Sequence, residues 1–244
     1  MNLTIDIGNS RAKLTVFKNN KILKNVVCPK EELISAQKHL RTEFPEIQNG
    51  ILANVAEPKN SFVGSLFGFK GITIELSNRT PVPFINQYET TETLGLDRIA
   101  LAVAAVSFYP GKNVLVIDAG TSVTYDIITA DKIYLGGAIS PGLNMRFRAI
   151  NNFTANLPLL KASSKQIPTI GHNTIQSLHL GITQGLLYEL EGFIARYSKL
   201  YSGLTVILTG GDAEILSKRL KNSIFVAKNF LSSGLNCILE YNKH

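Results

Sequence analysis

The sequence predicts an α/β protein made of two similar lobes, each a mixed sheet flanked by helices. Residues 4–10 read TIDIGNS and residues 116–122 read VIDAGTS, so an apolar run followed by Asp-x-Gly-x-Ser occurs twice in the chain. Both copies are followed by two strand-like runs joined by a turn, and helical patterns then alternate with further apolar runs. This alternation is typical of sheets that carry packed helices, and its recurrence indicates a duplicated lobe.

The first lobe opens with a strand that ends at Asp6. The runs AKLTVF (12–17) and KILKNVV (21–27) have β-like composition, and the Asn-Asn pair between them is a hairpin signal. A helix over 29–44 follows, since Pro29 and the acidic residues after it mark a helix start. The other elements predicted for this lobe are strands at 50–56 and 71–76, a loop at 78–84 and a helix at 93–109.

The second lobe repeats the order of the first. Pro110-Gly111 ends the preceding helix, and an apolar strand that ends at Asp118 follows. The predicted elements are strands at 113–120, 123–128 and 133–139, helices at about 142–156 and 174–200, a strand at 204–212, a short helix, a strand at 223–227 and a last helix. We therefore divide the chain into an N-terminal lobe, residues 1–111, and a C-terminal lobe, residues 112–244.

Composition favours a cytoplasmic protein. The longest uninterrupted apolar run, 99–106, is eight residues, far below the roughly 18 that span a bilayer. Asp6 and Asn9 interrupt the apolar run at the N-terminus, which argues against a signal peptide. The two cysteines lie far apart and fit a reducing compartment. We expect no membrane partner.

The net charge of +7 leaves three interpretations open. A nucleic-acid partner is one of them, but the basic residues are scattered, and their densest cluster is SKRLK at 217–221. The sequence has no aromatic-rich RNA motif and no zinc finger, so we expect no nucleic-acid partner. An enzyme with anionic ligands would gain from a positive field. A solvated basic surface would account for the charge equally well.

The two Asp-x-Gly loops have the chemistry of a phosphate site. Glycine allows a tight turn and a close approach of ligand to backbone, and the N–H groups of such a turn can hold phosphate oxygens. A carboxylate at the same place can hold Mg²⁺ directly or through water. A single loop of this kind is as often an ordinary β-turn, but two at equivalent points favour a pair of phosphate-binding loops. No GxxxxGK[ST] motif and no GxGxxG after a strand is present.

The repeated hairpins resemble the two lobes of the acetate kinase, sugar kinase, Hsp70 and actin superfamily. That resemblance implies ribonuclease H-like lobes whose two Asp-x-Gly loops hold the phosphates of ATP. In the superfamily a Gly-Gly turn after a late strand approaches the adenosine, and TGGDA at 209–213 stands in that place. A plain connection between strand and helix explains the two glycines equally well.

The stretch LGLDR at 94–98 opens an otherwise apolar helix. An acidic residue is favoured near a helix N-terminus by about 0.3–1 kcal/mol, which would account for Asp97 on structural grounds alone. The functional interpretation makes Asp97 a general base that accepts a proton from a substrate hydroxyl as it attacks the γ-phosphate. Arg98 would then offer a fork of donors to the substrate.

Five motifs in order resemble those of the type III pantothenate kinases, also called the Bvg accessory factor family. They are DIGNS (6–10), Tyr88 with LGLDR (94–98), DAGTS (118–122), GGAISPG (136–142) and GHNTIQSLHLGITQG (171–185). They extend over nearly the full length, which makes the set far more specific than any member. Ser10 stands where the family more often has Thr and keeps the hydroxyl.

The resemblance implies transfer of the γ-phosphoryl group of ATP to the hydroxyl of pantothenate, giving 4'-phosphopantothenate, the first step of coenzyme A biosynthesis. It implies Asp97 as the catalytic base, Asp118 as a ligand of a monovalent cation (K⁺ or NH₄⁺), Asp6 as a ligand of Mg²⁺ directly or through water, and a homodimer. The ATP-binding residues that it implies are Asp6, Ile7, Gly8, Asn9, Ser10, Arg11, Ala12, Lys13 and Thr121, and the pantothenate-binding residues are Tyr88, Gly95, Leu96, Asp97, Arg98 and Thr174.

Several residues keep a structural alternative. Thr174 is also a plausible helix N-cap. Asp126 and Asp131, on and beside the second hairpin, are expected to face solvent or to lie in turns. Arg146 and Arg148 would reach a phosphate or a partner subunit, or lie on a solvated helix face. Two rival functions remain: a kinase of the same superfamily that acts on a sugar or another small alcohol, and a nucleotide-gated or nucleic-acid-binding accessory protein without turnover.

Overall fold

A computed structural model describes residues 1–8, 11–54, 68–163, 167–220 and 224–243. The strands are β1 Asn2–Ile7, β2 Ala12–Lys18, β3 Lys21–Cys28, β4 Asn49–Asn54, β5 Thr73–Glu75, β6 Ile85–Asn86, β7 Val114–Ala119, β8 Ser122–Ile128, β9 Ile133–Pro141, β10 Thr205–Thr209 and β11 Phe225–Val226. The helices are α1 Leu33–Glu43, α2 Leu96–Phe108, α3 Leu143–Asn152, α4 Thr174–His179, α5 Gly185–Leu200, α6 Ala213–Ser217 and α7 Phe230–Tyr241, with a π-helical turn at Leu180–Gln184 between α4 and α5. No helix of these ranges is long and apolar enough to cross a membrane.

The predicted duplication is present in the sheets. The first sheet has the order β3-β2-β1-β4-β5, with β1 antiparallel to β2 and parallel to β4. The second sheet contains the order β9-β8-β7-β10-β11, with β7 antiparallel to β8 and parallel to β10. The two orders correspond strand for strand, so residues 4–7 and 116–119, the first four of each repeated heptad, lie in the corresponding strand of each sheet. The prediction of mixed sheets flanked by helices is confirmed.

The hairpin between β2 and β3 forms where the Asn-Asn pair predicted it. Asn19 and Asn20 both have positive φ, 47° and 62°. A two-residue turn with both residues in this region matches the twist of the strands that it joins, and Asn tolerates the left-handed conformation better than most residues. Lys132, with φ of 60°, lies in the corresponding turn before β9.

The chain forms two compact units that are not contiguous in sequence. Unit 1 contains residues 1–110, 132–134 and 229–244, and unit 2 contains residues 111–131 and 135–228. The first crossing, after Pro110, lies one residue from the lobe boundary drawn from the sequence. The last helix, α7, lies in unit 1, although the sequence division placed it with the C-terminal lobe. At residues 132–134 the start of β9 also belongs to unit 1, where it pairs in parallel with β6.

Helix α7 belongs to unit 1 because it packs closely on α2. A Cβ on Gly234 would lie 1.9 Å from the carbonyl oxygen of Ala100, a distance at which no side chain fits. Ala100 and Leu235 are fully buried at this contact region. The sequence shows both helices as apolar but carries no signal for their pairing.

Asp126 on β8 differs from expectation, and Gly137 on β9 explains part of the GGAISPG motif. Asp126 is fully buried, and the expectation that it faces solvent was wrong. The alternating pattern of β8 does not apply, because both faces of this strand are covered and residues 123–128 are all buried. A Cβ on Gly137 would lie 1.6 Å from the carbonyl oxygen of Tyr125. The double Gly of GGAISPG therefore lets β9 approach β8.

The contact between α7 and α2 predicts a large effect of one methyl group. We expect Gly234→Ala to lower the free energy of unfolding by about 2 kcal/mol or more, since the backbone of α2 has to move away from the new Cβ. Gly192→Ala is the matched control, because it also lies inside a helix but has no atom within 4 Å of the added Cβ. That variant should be neutral or up to about 1 kcal/mol more stable.

Urea unfolding followed by circular dichroism measures both variants. Equal stability of Gly234→Ala and the wild type would contradict this packing of α7.

Candidate active site

Strand β1 delivers Asp6 to the end of a buried sheet. The strand is buried at every position from Asn2 to Ile7 except Asp6, which is half-buried. Lys13 of β2 is its register partner across the antiparallel pair, which places the two side chains side by side. The N–H of Gly8 donates to the carbonyl of Arg11 at 3.0 Å and closes the turn. Asn9 and Ser10, two of the predicted ATP-binding residues, lie outside the described residues.

Asp97 stands in the first turn of α2. Its Oδ1 accepts a hydrogen bond from the backbone N–H of Arg98 at 2.8 Å. A Cβ on Gly95 would lie 2.4 Å from the same oxygen, so any other residue there would require the carboxylate to shift. The carboxylate thus has the helix N-terminal placement that the structural alternative predicted. One carboxylate oxygen can serve this purpose while the other takes part in chemistry.

The carboxylates of Asp6 and Asp97 lie close enough to interact. Burial of the Asp6 carboxyl and, to a smaller extent, the negative charge of Asp97 raise its pKa from an ordinary 3.8 to about 6, although the ammonium of Lys13 opposes both. Two carboxylates in a partly desolvated place disfavour a second negative charge. A cation placed beside Asp6 would remove that penalty, so the pair has the electrostatics of a site for a cation-bound anion.

Arg98 is buried rather than held out toward solvent, with 4% of its surface exposed. Its guanidinium carbon lies 5.4 Å from the ring centroid of Tyr88 and 6.0 Å from that of Tyr134. The two rings are 6.2 Å apart. Such contacts stabilise a desolvated cation by up to about 2 kcal/mol. Tyr134 was missed by the sequence reasoning, since only the parallel pairing of β6 with β9 brings it beside Tyr88.

Strand β7 places Asp118 in unit 2 as β1 places Asp6 in unit 1. The burial pattern of the two strands is the same, and Asp118 is the one half-buried residue of β7. Two turns press on the loop that follows it. Gly210 has φ of 95°, and a Cβ there would lie 2.4 Å from the Asp118 Oδ1 and from the Ala119 carbonyl. A Cβ on Gly142 would lie 2.3 Å from the carbonyls of Gly120 and Thr121.

The two Asp-x-Gly loops are not identical copies. The first hairpin pairs Ile7 with Ala12, whereas the second pairs Ala119 with Val123 and is one residue shorter. In both, the glycine N–H is already bonded, since Gly120 donates to the Ser122 carbonyl at 3.0 Å as Gly8 does to Arg11. Neither glycine N–H is therefore open to a phosphate in this state. Thr121, at the tip of the second loop, is exposed.

Other predicted residues fall into place with two corrections. Thr174 is exposed and begins α4, but the N-cap is Asn173, whose Oδ1 accepts from the N–H of Gln176 at 2.9 Å. The N-cap role for Thr174 was therefore wrong. Arg146 does not lie on a solvated helix face, because its guanidinium pairs with Glu189 at 2.5 Å within unit 2. Arg148 is exposed.

The donor set suits cations that arrive with a ligand. Within the described ranges no three His, Cys, Asp or Glu side chains come together as a metal cluster. Mg²⁺ bound to a nucleotide brings phosphate oxygens and water of its own and takes one or two carboxylates from a protein. The half-buried carboxylate of Asp6, with its raised pKa, fits that need. The carboxylate of Asp118 likewise offers a hard oxygen donor, beside the loop against which Gly142 and Gly210 pack.

Comparison with models of protein families identifies the family of this chain. The model of type III pantothenate kinases matches residues 2–196. The chain belongs to this family. A type III pantothenate kinase of Christiangramia forsetii is 48% identical over 244 residues, which cover 100% of this chain and 99% of the relative. One from Flavobacterium johnsoniae is 42% identical, with coverage of 99% and 98%. Membership makes the chain an ATP-dependent kinase, as the resemblance implied.

Two solved structures of other proteins have a fold similar to that of this chain. A conserved Baf family protein from Campylobacter jejuni is similar with a TM-score of 0.65 at 22% identity, with 98% of each chain covered. An activator of 2-hydroxyisocaproyl-CoA dehydratase from Clostridium difficile, with bound ADPNP, reaches 0.55 at 11% identity, covering 98% of this chain and 93% of that one. These likenesses show a shared α/β fold, in agreement with the predicted mixed sheets flanked by helices.

The raised pKa of Asp6 predicts a pH-dependent cost in stability. The folded protein holds the proton up to about pH 6, whereas the unfolded chain releases it near 3.8, so stability falls between these values and stays low above them. We expect Asp6→Asn to raise the free energy of unfolding by about 2 kcal/mol at pH 8 and by much less at pH 4, while it abolishes kinase activity.

Urea unfolding in EDTA at pH 4 and pH 8 measures this difference. Asp131→Asn, an exposed turn residue, is the control that should leave the stability unchanged at both values. A variant Asp6→Asn that is no more stable than the wild type at pH 8 would show that the Asp6 carboxylate is well solvated.

Proposed function

We propose that the chain phosphorylates pantothenate with ATP and forms 4'-phosphopantothenate, the first step of coenzyme A biosynthesis. The observation that carries the proposal is the arrangement in unit 1 of Asp97, at the start of α2, near Asp6, at the end of β1. One carboxylate is available to a substrate hydroxyl and the other to a cation on the phosphates. Family membership supports pantothenate as the acceptor, since the relatives that match this chain over nearly their full length are named type III pantothenate kinases.

Asp97 acts as the general base. Phosphoryl transfer needs little covalent chemistry from a protein, so positioning and neutralisation of charge provide most of the acceleration. The Asp97 carboxylate accepts the proton of the primary hydroxyl as that oxygen forms its bond to the γ-phosphorus and the bond to the β–γ bridging oxygen breaks. Its hydrogen bond from the Arg98 N–H fixes the carboxylate in place.

The nucleotide is held by the two Asp-x-Gly loops. Asp6 takes Mg²⁺ directly or through water, and the positive charge of Lys13 beside it offsets that of the phosphates. Thr121 donates its exposed hydroxyl to the nucleotide. The Gly210-Gly211 turn, in which Gly210 has a φ of 95° that glycine adopts more easily than other residues, would lie on the adenosine side. The residues assigned to ATP are Asp6, Ile7, Gly8, Asn9, Ser10, Arg11, Ala12, Lys13 and Thr121.

A monovalent cation, K⁺ or NH₄⁺, is held at Asp118. The support is the half-buried carboxylate on a loop that two close-packed turns enclose. A cation there supplies fixed positive charge toward the phosphates. The residues of the loop keep their positions through the backbone contacts of Gly142 and Gly210.

Pantothenate is bound by Tyr88, Gly95, Leu96, Asp97, Arg98 and Thr174. The buried guanidinium of Arg98, supported by two aromatic rings, keeps a fixed orientation and suits recognition of an acidic or amide group. The protein works as a cytoplasmic homodimer. Exposed large apolar side chains of unit 2, among them Ile139 at 62% and Ile175 at 53%, support the dimer.

Replacement of Asp97 separates catalysis from folding. We expect Asp97→Asn to lower kcat by at least about 10²-fold, because the amide cannot accept the proton, while its oxygen still accepts the Arg98 N–H and keeps the helix start. A coupled assay of ADP release with pantothenate, with and without K⁺ and NH₄⁺, measures turnover.

The exposed Glu92, just before the same helix, gives the control Glu92→Gln, which should retain full activity. Near wild-type turnover of a folded Asp97→Asn would exclude Asp97 as the base. ADP release with a panel of sugars but not with pantothenate would exclude the proposed acceptor.

A further inference from the structure

Glu189, on helix α5, is the centre of a polar cluster in unit 2. Its Oε1 accepts a hydrogen bond from the hydroxyl of Tyr125 at 2.7 Å and another from the hydroxyl of Ser140 at 2.5 Å. Its Oε2 accepts from the guanidinium of Arg146 at 2.5 Å. We call Tyr125, Ser140, Arg146 and Glu189 the Glu189 cluster. It joins three elements, β8, α5 and the segment where β9 meets α3.

The charge of Glu189 is strongly stabilised. Burial by itself would raise the pKa of this carboxyl, but the hydrogen bonds from Ser140, Arg146 and Tyr125 outweigh burial and hold the pKa below its ordinary value. About a quarter of the Glu189 side chain and a fifth of the Arg146 side chain are exposed. Charge-assisted hydrogen bonds in such a setting are stronger and more directional than neutral ones. The Glu189 carboxylate therefore holds its three hydrogen-bond donors, Tyr125, Ser140 and Arg146, in place.

Arg146 carries this anchor to the turn at Pro141. Its Nε donates to the Pro141 carbonyl at 2.8 Å, and a terminal nitrogen donates to the Ser140 hydroxyl at 3.3 Å. Glu189 thus holds residues 140 and 141 in two ways. It contacts the Ser140 hydroxyl directly, and it acts on both residues indirectly through Arg146. Ser140 and Arg146 both also donate to the Glu189 carboxylate.

The next residue, Gly142, touches the nucleotide loop. Its N–H donates to the Thr121 carbonyl at 3.0 Å. Its Cα lies so close to the carbonyls of Gly120 and Thr121 that a Cβ would approach both to 2.3 Å. The backbone of residues 140–142 therefore forms one wall against the loop 120–122. A shift of that wall changes where Thr121 stands.

We propose that Glu189 is a positioning residue for nucleotide binding, which acts through Ser140, Arg146 and Gly142 on the loop that carries Thr121. The inference rests on the proposed function in one respect, the role of Thr121 in holding the nucleotide. Nothing in the five sequence motifs includes Glu189, which follows the last of them by four residues. Glu189 acts on backbone geometry and does not touch the substrates itself.

The test measures nucleotide affinity apart from turnover. We expect Glu189→Ala to raise the Kd for Mg·ADP, measured by calorimetry, by about 10-fold, and the KM for ATP by a similar factor. The KM for pantothenate should change much less than the KM for ATP, because five of the six residues proposed to bind pantothenate, all within 88–98, lie in unit 1 and only Thr174 lies in unit 2. A general loss of structure would raise both KM values or lower the fraction of active protein, so the split between them identifies positioning.

Two further variants make the test independent of folding defects. Ser140→Ala removes one link to the turn and leaves the Glu189–Arg146 pair, and it should raise the Kd for Mg·ADP about 3-fold. Tyr125→Phe is the matched control, since it removes a hydrogen bond from the same Oε1 but has no link to the turn. It should leave the Kd unchanged. The double variant Glu189→Ala/Ser140→Ala should show less than the product of the two single effects.

Two outcomes would overturn the inference. One is a Kd for Mg·ADP that Ser140→Ala and folded Glu189→Ala leave at the wild-type value. The other is an increase that Tyr125→Phe reproduces in full. Because binding of Mg·ADP does not involve the acceptor, either result leaves the proposed pantothenate kinase function intact. Failure to phosphorylate pantothenate with normal Mg·ADP binding would contradict that function and leave this inference standing.

Discussion

The central strand of each sheet is buried and yet carries a carboxylate near its end, and the rest of the structure depends on this combination. β1 and β7 are covered on both faces and apolar at nearly every position, yet each presents one half-buried carboxylate at its carboxyl end. A carboxylate in that place costs stability unless a positive charge accompanies it. Strand burial fixes the position of Asp6 and Asp118, and in the proposed function a cation bound with the nucleotide would offset part of that cost. Fold and chemistry are in this way joined in the same two residues.

Backbone contact, more than side-chain packing, gives the second loop its geometry. Gly142 and Gly210 bring two turns against residues 118–121 at distances that exclude any Cβ. Such contacts leave little freedom, because a displacement of one backbone segment moves the other. The same device appears where Gly137 lets β9 reach Tyr125. The loop of residues 118–121 is thus held by its neighbours, and the influence proposed for Glu189 would reach it through them.

The elements with local causes could be predicted from the sequence. The paired strands follow from apolar runs, the first hairpin from Asn19-Asn20, and α2 from the apolar stretch after LGLDR. What the sequence did not provide are contacts between segments far apart. The pairing of Arg146 with Glu189 was not among the roles predicted for Arg146, because Glu189 lies 43 residues on. Asp126 looked exposed because alternation applies only to a strand with one wet face. Tyr134 was missed because its pairing with β6 is not local.

The packing of α7 on α2 sets an order of events during synthesis. The surface of α2 that meets Gly234 belongs to the helix that carries Asp97, and it finds its partner only when residues 230–241 have left the ribosome. Contacts of such high sequence separation form late, since the chain between them must first be closed into a loop. A nascent chain that already contains every motif of the family is consequently still without a finished first unit. The helix bearing the proposed base therefore lacks this packing partner until residues 230–241 are available.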